Sequence, residues 1–117
     1  MVAAVYKDRV REVTSTLGTA DIVLGGAINS YQEFSVLGNG TKCYYCIEDE
    51  NGFDWEVGQG TYVATPSRTL TRDNVLDSSN SGNKISLTGT SQVFLTYPGV
   101  KAVDTDGALG LSIVMGS

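Results

Sequence analysis

The stretch Gly38–Val63, GNGTKCYYCIEDENGFDWEVGQGTYV, decides the fold of this chain. Two strand-like runs, Lys42–Glu48 and Phe53–Val57, flank the turn residues Glu50-Asn51-Gly52. Asn-Gly between such runs favours a β-hairpin, because both residues accept the positive φ angles of a type I′ turn. The sequence therefore predicts an antiparallel hairpin at the centre of the chain.

The second strand of this hairpin alternates apolar and acidic residues. Phe53, Trp55 and Val57 fall on one face, with Asp54 and Glu56 on the other, because successive strand side chains point to opposite sides. We expect the apolar face to be buried, with the single tryptophan near the centre of the core. The residues that we expect in this one core are Phe34, Ile47, Trp55, Val57, Val93 and Leu95.

Length and composition indicate one small β-rich domain. The chain has 117 residues, of which 41% are hydrophobic, 18% are charged and 14 are glycine. A chain of this size can bury an independent core, and abundant Gly, Ser, Thr and Val suit short strands joined by turns. We predict a single domain over 1–117, with an N-terminal arm at 1–7, a core module at 8–97 and a C-terminal extension at 98–117.

Short runs of β-favouring residues recur along the rest of the chain. Val10–Thr16 and Asp21–Leu24, separated by a break at Gly18, predict a first hairpin. No segment has a helical period, and about eight or nine short strands predict an all-β, antiparallel β-sandwich or small barrel with short terminal arms. The remaining strand candidates are residues 31–37, 61–63, 70–75, 85–87 and 93–97.

Charge and hydropathy argue against two classes of partner. The net charge is −5, whereas binding to a nucleic-acid backbone requires clustered Lys and Arg. The only basic cluster, Lys7, Arg9 and Arg11, is diluted by Asp8 and Glu12. No run approaches the roughly 18 apolar residues of a membrane span, and no signal peptide is recognisable. We expect synthesis in a cytoplasm and neither a nucleic-acid nor a membrane partner.

Cys43-Tyr44-Tyr45-Cys46 is the one arrangement that resembles a chemical motif. A zinc site needs about four ligands, but the chain has no histidine and only these two cysteines. Residues three apart in a strand point to opposite faces, so the two thiols should not pair with each other. We expect structural thiols, with redox or metal use as the alternative.

The carboxylates of the central hairpin do not match a known catalytic or metal-binding motif. Phe53 and Asp54 occupy the positions where an EF-hand loop beginning at Asp49 requires Asp or Asn and then Gly. A weak surface calcium site is the alternative to a hairpin tip kept soluble by charge. A histidine base is excluded because the chain has no histidine. We predict no enzyme, no cofactor and no catalytic or metal-binding residue.

Apolar residues near the two ends are the candidate interface. The C-terminal extension has a period of two, with larger apolar residues on one face and Gly110, Ser112 and Val114 on the other. An apolar strand at a chain end must be covered, either by its own sheet or by strand addition to a neighbouring copy or a partner protein. The candidate interface residues are Val2, Val5, Tyr6, Leu109, Leu111, Ile113, Val114 and Met115.

A series of short motifs runs in order through roughly residues 8–97. They are Asp8-Arg9-Val10 with Glu12 and Thr14, Gly25-Gly26-Ala27, Phe34, Gly38-Asn39-Gly40, Tyr44-Tyr45-Cys46-Ile47, Trp55-Glu56-Val57-Gly58, Gly60-Thr61-Tyr62, Leu70-Thr71-Arg72, Val75-Leu76 and Ser78-Ser79-Asn80. The series resembles a small module of tailed-bacteriophage virion proteins, found in head-decoration proteins and in tail- or fibre-associated proteins. The W-E-V-G-x-G-T-Y block, followed by L-x-R and S-S-N, is its most specific part.

The resemblance implies a non-enzymatic virion structural protein, with no catalytic residues to transfer. The first expectation is a capsid decoration (cement) protein that binds the major capsid protein or other virion proteins as a homo-oligomer, a trimer or dimer. The alternative is a tail adaptor or short tail-fibre component with a receptor- or carbohydrate-binding role. In that case Tyr44, Tyr45 or Tyr62 would be exposed as stacking platforms.

Overall fold

The structure is a computed structural model that describes residues 4–50 and 53–99. Within these residues nearly all regular structure is β, as predicted, and every pairing between named strands is antiparallel. In chain order the elements are β1 (Arg11–Thr14), β2 (Ile22–Val23), a 3-10 helix (Phe34–Leu37), β3 (Lys42–Asp49), β4 (Trp55–Val63), β5 (Thr69–Leu70), β6 (Asn74–Ser78) and β7 (Ser91–Leu95).

The strands form one curved sheet that encloses the core as a half-barrel. Their order is β1-β7-β3-β4-β5-β2, and β6 lies off this path beside β4. The long strand β4 makes this possible, because its first half pairs with β6 and its last two residues pair with β5. The prediction of a single antiparallel β domain is confirmed.

The central hairpin forms where the sequence predicts it. β3 and β4 pair from Lys42↔Thr61 to Glu48↔Trp55. Gly58 and Gly60 continue β4 without interruption. They lack a side chain, so neighbouring groups of the same protein can lie close to the strand. A Cβ atom at Gly60 would lie 2.0 Å from the carbonyl oxygen of Thr71. The strand is therefore one long path that contains two positions without room for a side chain.

The buried face of β4 is the opposite of the predicted one. Glu56 is fully buried, whereas Trp55 is 38% exposed and Val57 is half-buried, so the prediction of a central tryptophan is wrong. The Glu56 carboxylate accepts hydrogen bonds from the Tyr45 hydroxyl at 2.7 Å and the Ile85 N–H at 2.9 Å. Because these donors lie inside the sheet, the alternation of the strand turns Trp55 outward.

Arg72 completes the burial of Glu56. Its guanidinium binds both carboxylate oxygens of Glu56, through Nε at 3.0 Å and Nη2 at 2.6 Å, and both side chains are fully buried. The remaining donors reach the backbone oxygens of Gly18, Ala20 and Ile85. The pair therefore joins β4 to two loops.

A second buried carboxylate, that of Glu12 in β1, is also bound by one arginine and by backbone N–H groups. Arg68 binds it with both terminal nitrogens at 2.7 and 2.8 Å, while the N–H groups of Gly26 and Phe34 donate at 2.9 and 2.7 Å. The side chain of Arg68 keeps 27% of its surface exposed, whereas Glu12 is fully buried. This pair fastens the segment between β2 and the 3-10 helix to the sheet.

The hydrophobic core otherwise agrees with the prediction. Phe34, Ile47 and Val93 are fully buried, and Leu95 is partly buried against the same cluster. The cluster also contains apolar residues from the strands and loops that the sequence analysis did not assign to it: Val10, Ile22, Leu24, Leu37, Cys43, Tyr45, Tyr62, Leu70, Ile85 and Leu87.

Four predicted strand features are wrong, among them the strand over 70–75, which is divided between β5 and β6 with 71–73 outside any strand. β1 and β2 do not form a hairpin, since β1 pairs with β7 and β2 pairs with β5. Hydroxyl groups replace the expected ladder: Thr16 Oγ1 accepts from the Val23 N–H at 2.9 Å, and Thr14 Oγ1 donates to the Val23 oxygen at 2.7 Å. The predicted strand over 31–37 becomes the 3-10 helix, and 85–87 forms only an isolated bridge.

Candidate interaction surface

An aromatic patch of Tyr6, Tyr44 and Tyr97 lies on the outer face of the sheet. The Tyr6 ring centroid is 6.2 Å from that of Tyr44 and 5.4 Å from that of Tyr97, the latter in an edge-to-face arrangement. Tyr6 is 49% exposed and Tyr97 is 59% exposed. The patch therefore offers packed aromatic surface to solvent.

Backbone contacts hold this aromatic patch in place. The N–H of Val5 donates to the Lys42 oxygen at 2.9 Å, which places the N-terminal arm beside the start of β3. Val5 packs against the core, so Tyr6 is left on the outside. On the other side, the Thr96 N–H donates to the Tyr44 oxygen at 3.1 Å and positions Tyr97 immediately after it.

An apolar groove adjoins the chain just beyond β7. It has a volume of about 320 Å³ and is lined by Trp55, Val57, Leu76, Asp77 and the segment Thr96–Gly99. Trp55 and Val57 come from the outward face of β4, while Leu76 comes from β6 at the register shift opposite Val57 and Gly58. The outward orientation of Trp55 and Val57 therefore creates the groove.

An acidic groove lies on the other side of Trp55, at the tip of the central hairpin. Its volume is about 550 Å³, and its lining combines one indole with carboxylates and polar groups: Cys46, Glu48, Asp49, Glu50, Asp54, Trp55 and Gln92. The arrangement could bind a polar, uncharged ligand by stacking and hydrogen bonding, or a cationic one by charge.

Two arginines, Arg9 and Arg11, lie near this acidic groove, and Arg11 contacts its lining. The Arg9 guanidinium lies 4.1 Å above the ring of Tyr31, and that of Arg11 lies 4.1 Å above the ring of Phe94. Arg11 also donates to the side chain of Gln92, which lines the acidic groove. Arg11 Nη1 also lies 3.9 Å from the carboxylate of Glu48, so positive and negative charges meet at the edge of the acidic groove and can orient a charged partner.

The two thiols lie on opposite faces of β3, as predicted. Burial raises the pKa of Cys43 to about 12, and burial followed by the nearby Glu48 carboxylate raises the pKa of Cys46 to about 11. Both thiols are therefore protonated near neutral pH, whereas a reactive thiol needs a lowered pKa.

Residues 4–50 and 53–99 contain neither a metal-binding cluster nor a membrane-spanning helix. No His, Cys, Asp or Glu side chains there are grouped so that three or more could hold a metal ion. None of the described helical segments is long and apolar enough to cross a membrane.

The structure places two of the predicted interface residues, Val5 and Tyr6. The first is partly buried against the core, and the second belongs to the aromatic patch. Among the predicted stacking platforms, Tyr45 and Tyr62 are buried and Tyr44 is half-buried. The other interface candidates lie outside the described residues: Val2, Leu109, Leu111, Ile113, Val114 and Met115.

Sequence reasoning missed Trp55 and Tyr97 as surface residues. A usable signal for Trp55 was its neighbour Glu56, since the sequence alternation over 70–75 groups Arg72 with the apolar Leu70 and so offers a buried partner. The signal for Tyr97 was Pro98-Gly99, a turn sequence directly after it.

No family model matches the chain, and neither a curated protein nor a solved structure matches it. The outer face of the sheet and the order of the sequence motifs are therefore the observations from which a function is inferred.

Proposed function

We propose that this protein is a non-enzymatic structural component of a tailed-bacteriophage particle, a capsid decoration protein that binds and stabilises the head lattice. The observation that carries the proposal is the aromatic patch of Tyr6, Tyr44 and Tyr97 on the outside of the β domain. The ordered sequence motifs, which resemble the phage module, indicate that the particle is that of a tailed bacteriophage. The partner is the major capsid protein or another virion protein.

The aromatic patch has the chemistry of a protein-binding surface. Tyrosine is enriched at interface cores because its ring buries a large area, while its hydroxyl keeps a hydrogen-bonding group. Here the rings already contact one another, so little conformational freedom remains to be lost on binding. A pre-ordered aromatic surface of this kind favours docking on a protein lattice.

Fixed charges can orient the domain on that lattice. The acidic hairpin tip and the Arg9–Arg11 cluster present opposite signs on one outer face. Complementary charges mainly affect the orientation and rate of association. A decoration protein must bind many equivalent sites in one orientation, as a trimer or dimer that matches the local symmetry of the lattice.

Particle binding tests the role of the aromatic patch directly. We expect Tyr97→Ala and Tyr6→Ala each to lower the affinity for particles that lack the protein by roughly ten-fold or more, the effect of losing an interface anchor. Leu17→Ala is the matched control, because Leu17 is 62% exposed and is not part of the patch. Unchanged binding of both tyrosine variants would refute the proposal.

The copy number per particle decides the location. A decoration protein should be present in numbers on the order of hundreds, whereas a tail component should be present in roughly three to twelve copies, set by the symmetry of the tail. Quantitative mass spectrometry of purified particles against the major capsid protein gives this number.

A tail adaptor or short tail-fibre component with a carbohydrate-binding role is the second candidate. The acidic groove favours it, because Trp55 stands beside Glu48, Asp54 and Gln92, so that an indole could stack on a sugar while polar groups hold its hydroxyls. Glycan-array binding that Trp55→Ala abolishes would support this candidate. A low copy number would support it as well.

A further inference from the structure

The acidic groove, the apolar groove and the aromatic patch follow one another along the outer face of β3 and β4. Glu48 is paired with Trp55 in the register of the two strands, and Trp55 lines both grooves. Cys46 and Val57 form the next outward pair, and Tyr44 of the aromatic patch lies one pair further along. The strand register therefore sets the order of the three features.

Tyr97 connects the apolar groove to the aromatic patch. It lines the groove together with Pro98, and its ring packs edge-to-face on that of Tyr6 at a centroid distance of 5.4 Å. The three features thus form one continuous surface, because each shares a residue with the next. We call this surface the outer strip and define it by Tyr6, Tyr44, Tyr97, Val57, Trp55 and Glu48.

The charge at one end of the outer strip favours a cationic group. The acidic groove is lined by the carboxylates of Glu48, Asp49, Glu50 and Asp54, with the indole of Trp55 among them. A guanidinium or ammonium group is attracted both by the face of an indole and by carboxylates. The net charge of −5 adds to this attraction over a longer range. A basic side chain is therefore the group that fits this end.

The remainder of the outer strip is aromatic and apolar, which suits proline rings. A polyproline II segment is extended before it binds, so it loses little conformational entropy when it docks in an aromatic-lined groove. The distance from Tyr44 to Glu50 along the strand is roughly 20 Å, because each residue adds about 3.3 Å. A polyproline II segment of about six or seven residues has this length.

We propose that the outer strip binds an extended, proline-rich segment of a protein partner, with a basic side chain of that segment in the acidic groove. Proline rings pack between Tyr97 and Trp55, and the basic group lies beside the indole and Glu48. The assignment rests on the proposed function, because the segment belongs to the partner on the particle. It names the chemistry by which that partner is recognised.

Titration of the isolated protein with synthetic peptides tests the assignment. The probes are acetyl-Arg-Pro-Pro-Ala-Pro-Pro-Ala-amide and the peptide of reversed sequence, since a polyproline II helix can dock in either direction. Trp55, the single tryptophan, lines both grooves and reports binding through its fluorescence. We expect a saturable change with at least one of the two peptides.

Two control peptides separate the contributions of charge and of proline. Replacing the arginine by citrulline, which has nearly the same shape but no charge, should weaken binding roughly ten-fold or more, and the remaining affinity should no longer depend on salt. Replacing every proline by alanine should weaken binding to a similar extent, because the peptide then has to be ordered on the surface.

Variants of the protein locate the binding site, with isothermal titration calorimetry as the measurement. Tyr97→Ala and the double variant Glu48→Gln/Asp54→Asn should each lower the affinity for the arginine peptide roughly ten-fold. The double variant should bind the citrulline peptide as wild type does. Leu17→Ala is the matched control, because Leu17 is exposed and lies outside the outer strip. Far-UV circular dichroism checks that each variant keeps its β structure.

Three results would overturn the assignment. The first is no binding of either arginine peptide at millimolar concentration, and the second is equal affinity for the arginine, citrulline and alanine peptides. The third is glycan binding that Trp55→Ala abolishes in a protein that binds no peptide, which would assign the surface to carbohydrate. If wild type still binds particles in these cases, the proposed function stands without this segment.

The converse outcome distinguishes the two proposals from the other side. Peptide binding that depends on Tyr97, combined with particle binding that Tyr97→Ala and Tyr6→Ala leave unchanged, would support the outer strip as a peptide site and refute its role on the particle.

Discussion

The two buried glutamate–arginine pairs have nearly the same geometry but different surroundings. Glu56 and Glu12 each bind one arginine through both carboxylate oxygens and accept additional donors from the protein. Arg72 is fully buried and has its donors distributed over Glu56 and three backbone oxygens. Arg68 remains 27% exposed, with Glu33 at 3.9 Å as a second carboxylate.

The comparison shows how this small β domain holds its loops. The strands satisfy their backbone groups with one another, but buried loop segments need other partners. Glu12 binds the amides of Gly26 and Phe34, and Arg72 binds the carbonyls of Gly18 and Ala20. The pairs therefore order the loops, and the energetic cost of losing one depends on how far water can replace it.

Removing Arg72 should have the largest effect. Arg72→Met leaves the Glu56 carboxylate buried without its counter-ion, and we expect a loss of about 3–5 kcal/mol in the free energy of unfolding. Urea denaturation followed by tryptophan fluorescence measures this loss. The double variant Glu56→Gln/Arg72→Met should recover part of it, since the unpaired charge is then removed. A loss no larger than that of Arg68→Met would contradict the comparison.

Arg68→Met should be less damaging. Water can reach the site, and Glu12 keeps two backbone N–H donors, so we expect a loss of about 1–3 kcal/mol. The same urea titration applies. Lys84→Met is a control for the removal of a positive charge, because Lys84 lies in an exposed loop. If Arg68→Met destabilises as much as Arg72→Met, exposure of the arginine is not the deciding factor.

The pH dependence should separate the Glu56 pair from the rest of the protein. Burial by itself raises the pKa of Glu56, but hydrogen bonds from Arg72, Tyr45 and the Ile85 amide outweigh it, so the pKa lies below the ordinary 4.5. A lowered pKa in the folded state stabilises the protein fully above pH 4.5, and this contribution is lost as the pH falls through the folded value.

The difference in unfolding free energy between wild type and Glu56→Gln should therefore be largest near neutral pH and shrink below pH 4.5. Urea titrations at a series of pH values measure it. A difference that stays constant, or grows, on acidification would show that the folded-state pKa is not lowered.

The smallest effect is expected at Trp55, the outward neighbour of Glu56. Because its side chain is 38% exposed, Trp55→Ala should cost about 1 kcal/mol, whereas Phe34→Ala, at a fully buried site, should cost about 3–5 kcal/mol. Thermal unfolding followed by circular dichroism measures both without relying on the indole. Equal losses would mean that Trp55 is part of the core after all.

Much of the β architecture follows from local sequence patterns. Asn51-Gly52 and the alternation on either side of it predict the β3–β4 hairpin. The aromatic patch could be predicted only in part, through Tyr6 and Tyr44. Tyr97 and Trp55 join the surface because of contacts between segments that are distant in the chain.

The sequence by itself determined that β4 has an apolar and an acidic face, because strand geometry sends successive side chains to opposite sides. Only the tertiary structure decided which face is inside. Glu56 enters the core because Arg72, 16 residues away, meets it there, and Glu12 does so because Arg68, 56 residues away, binds it. A buried charge requires a partner, and only the tertiary fold brings these partners together.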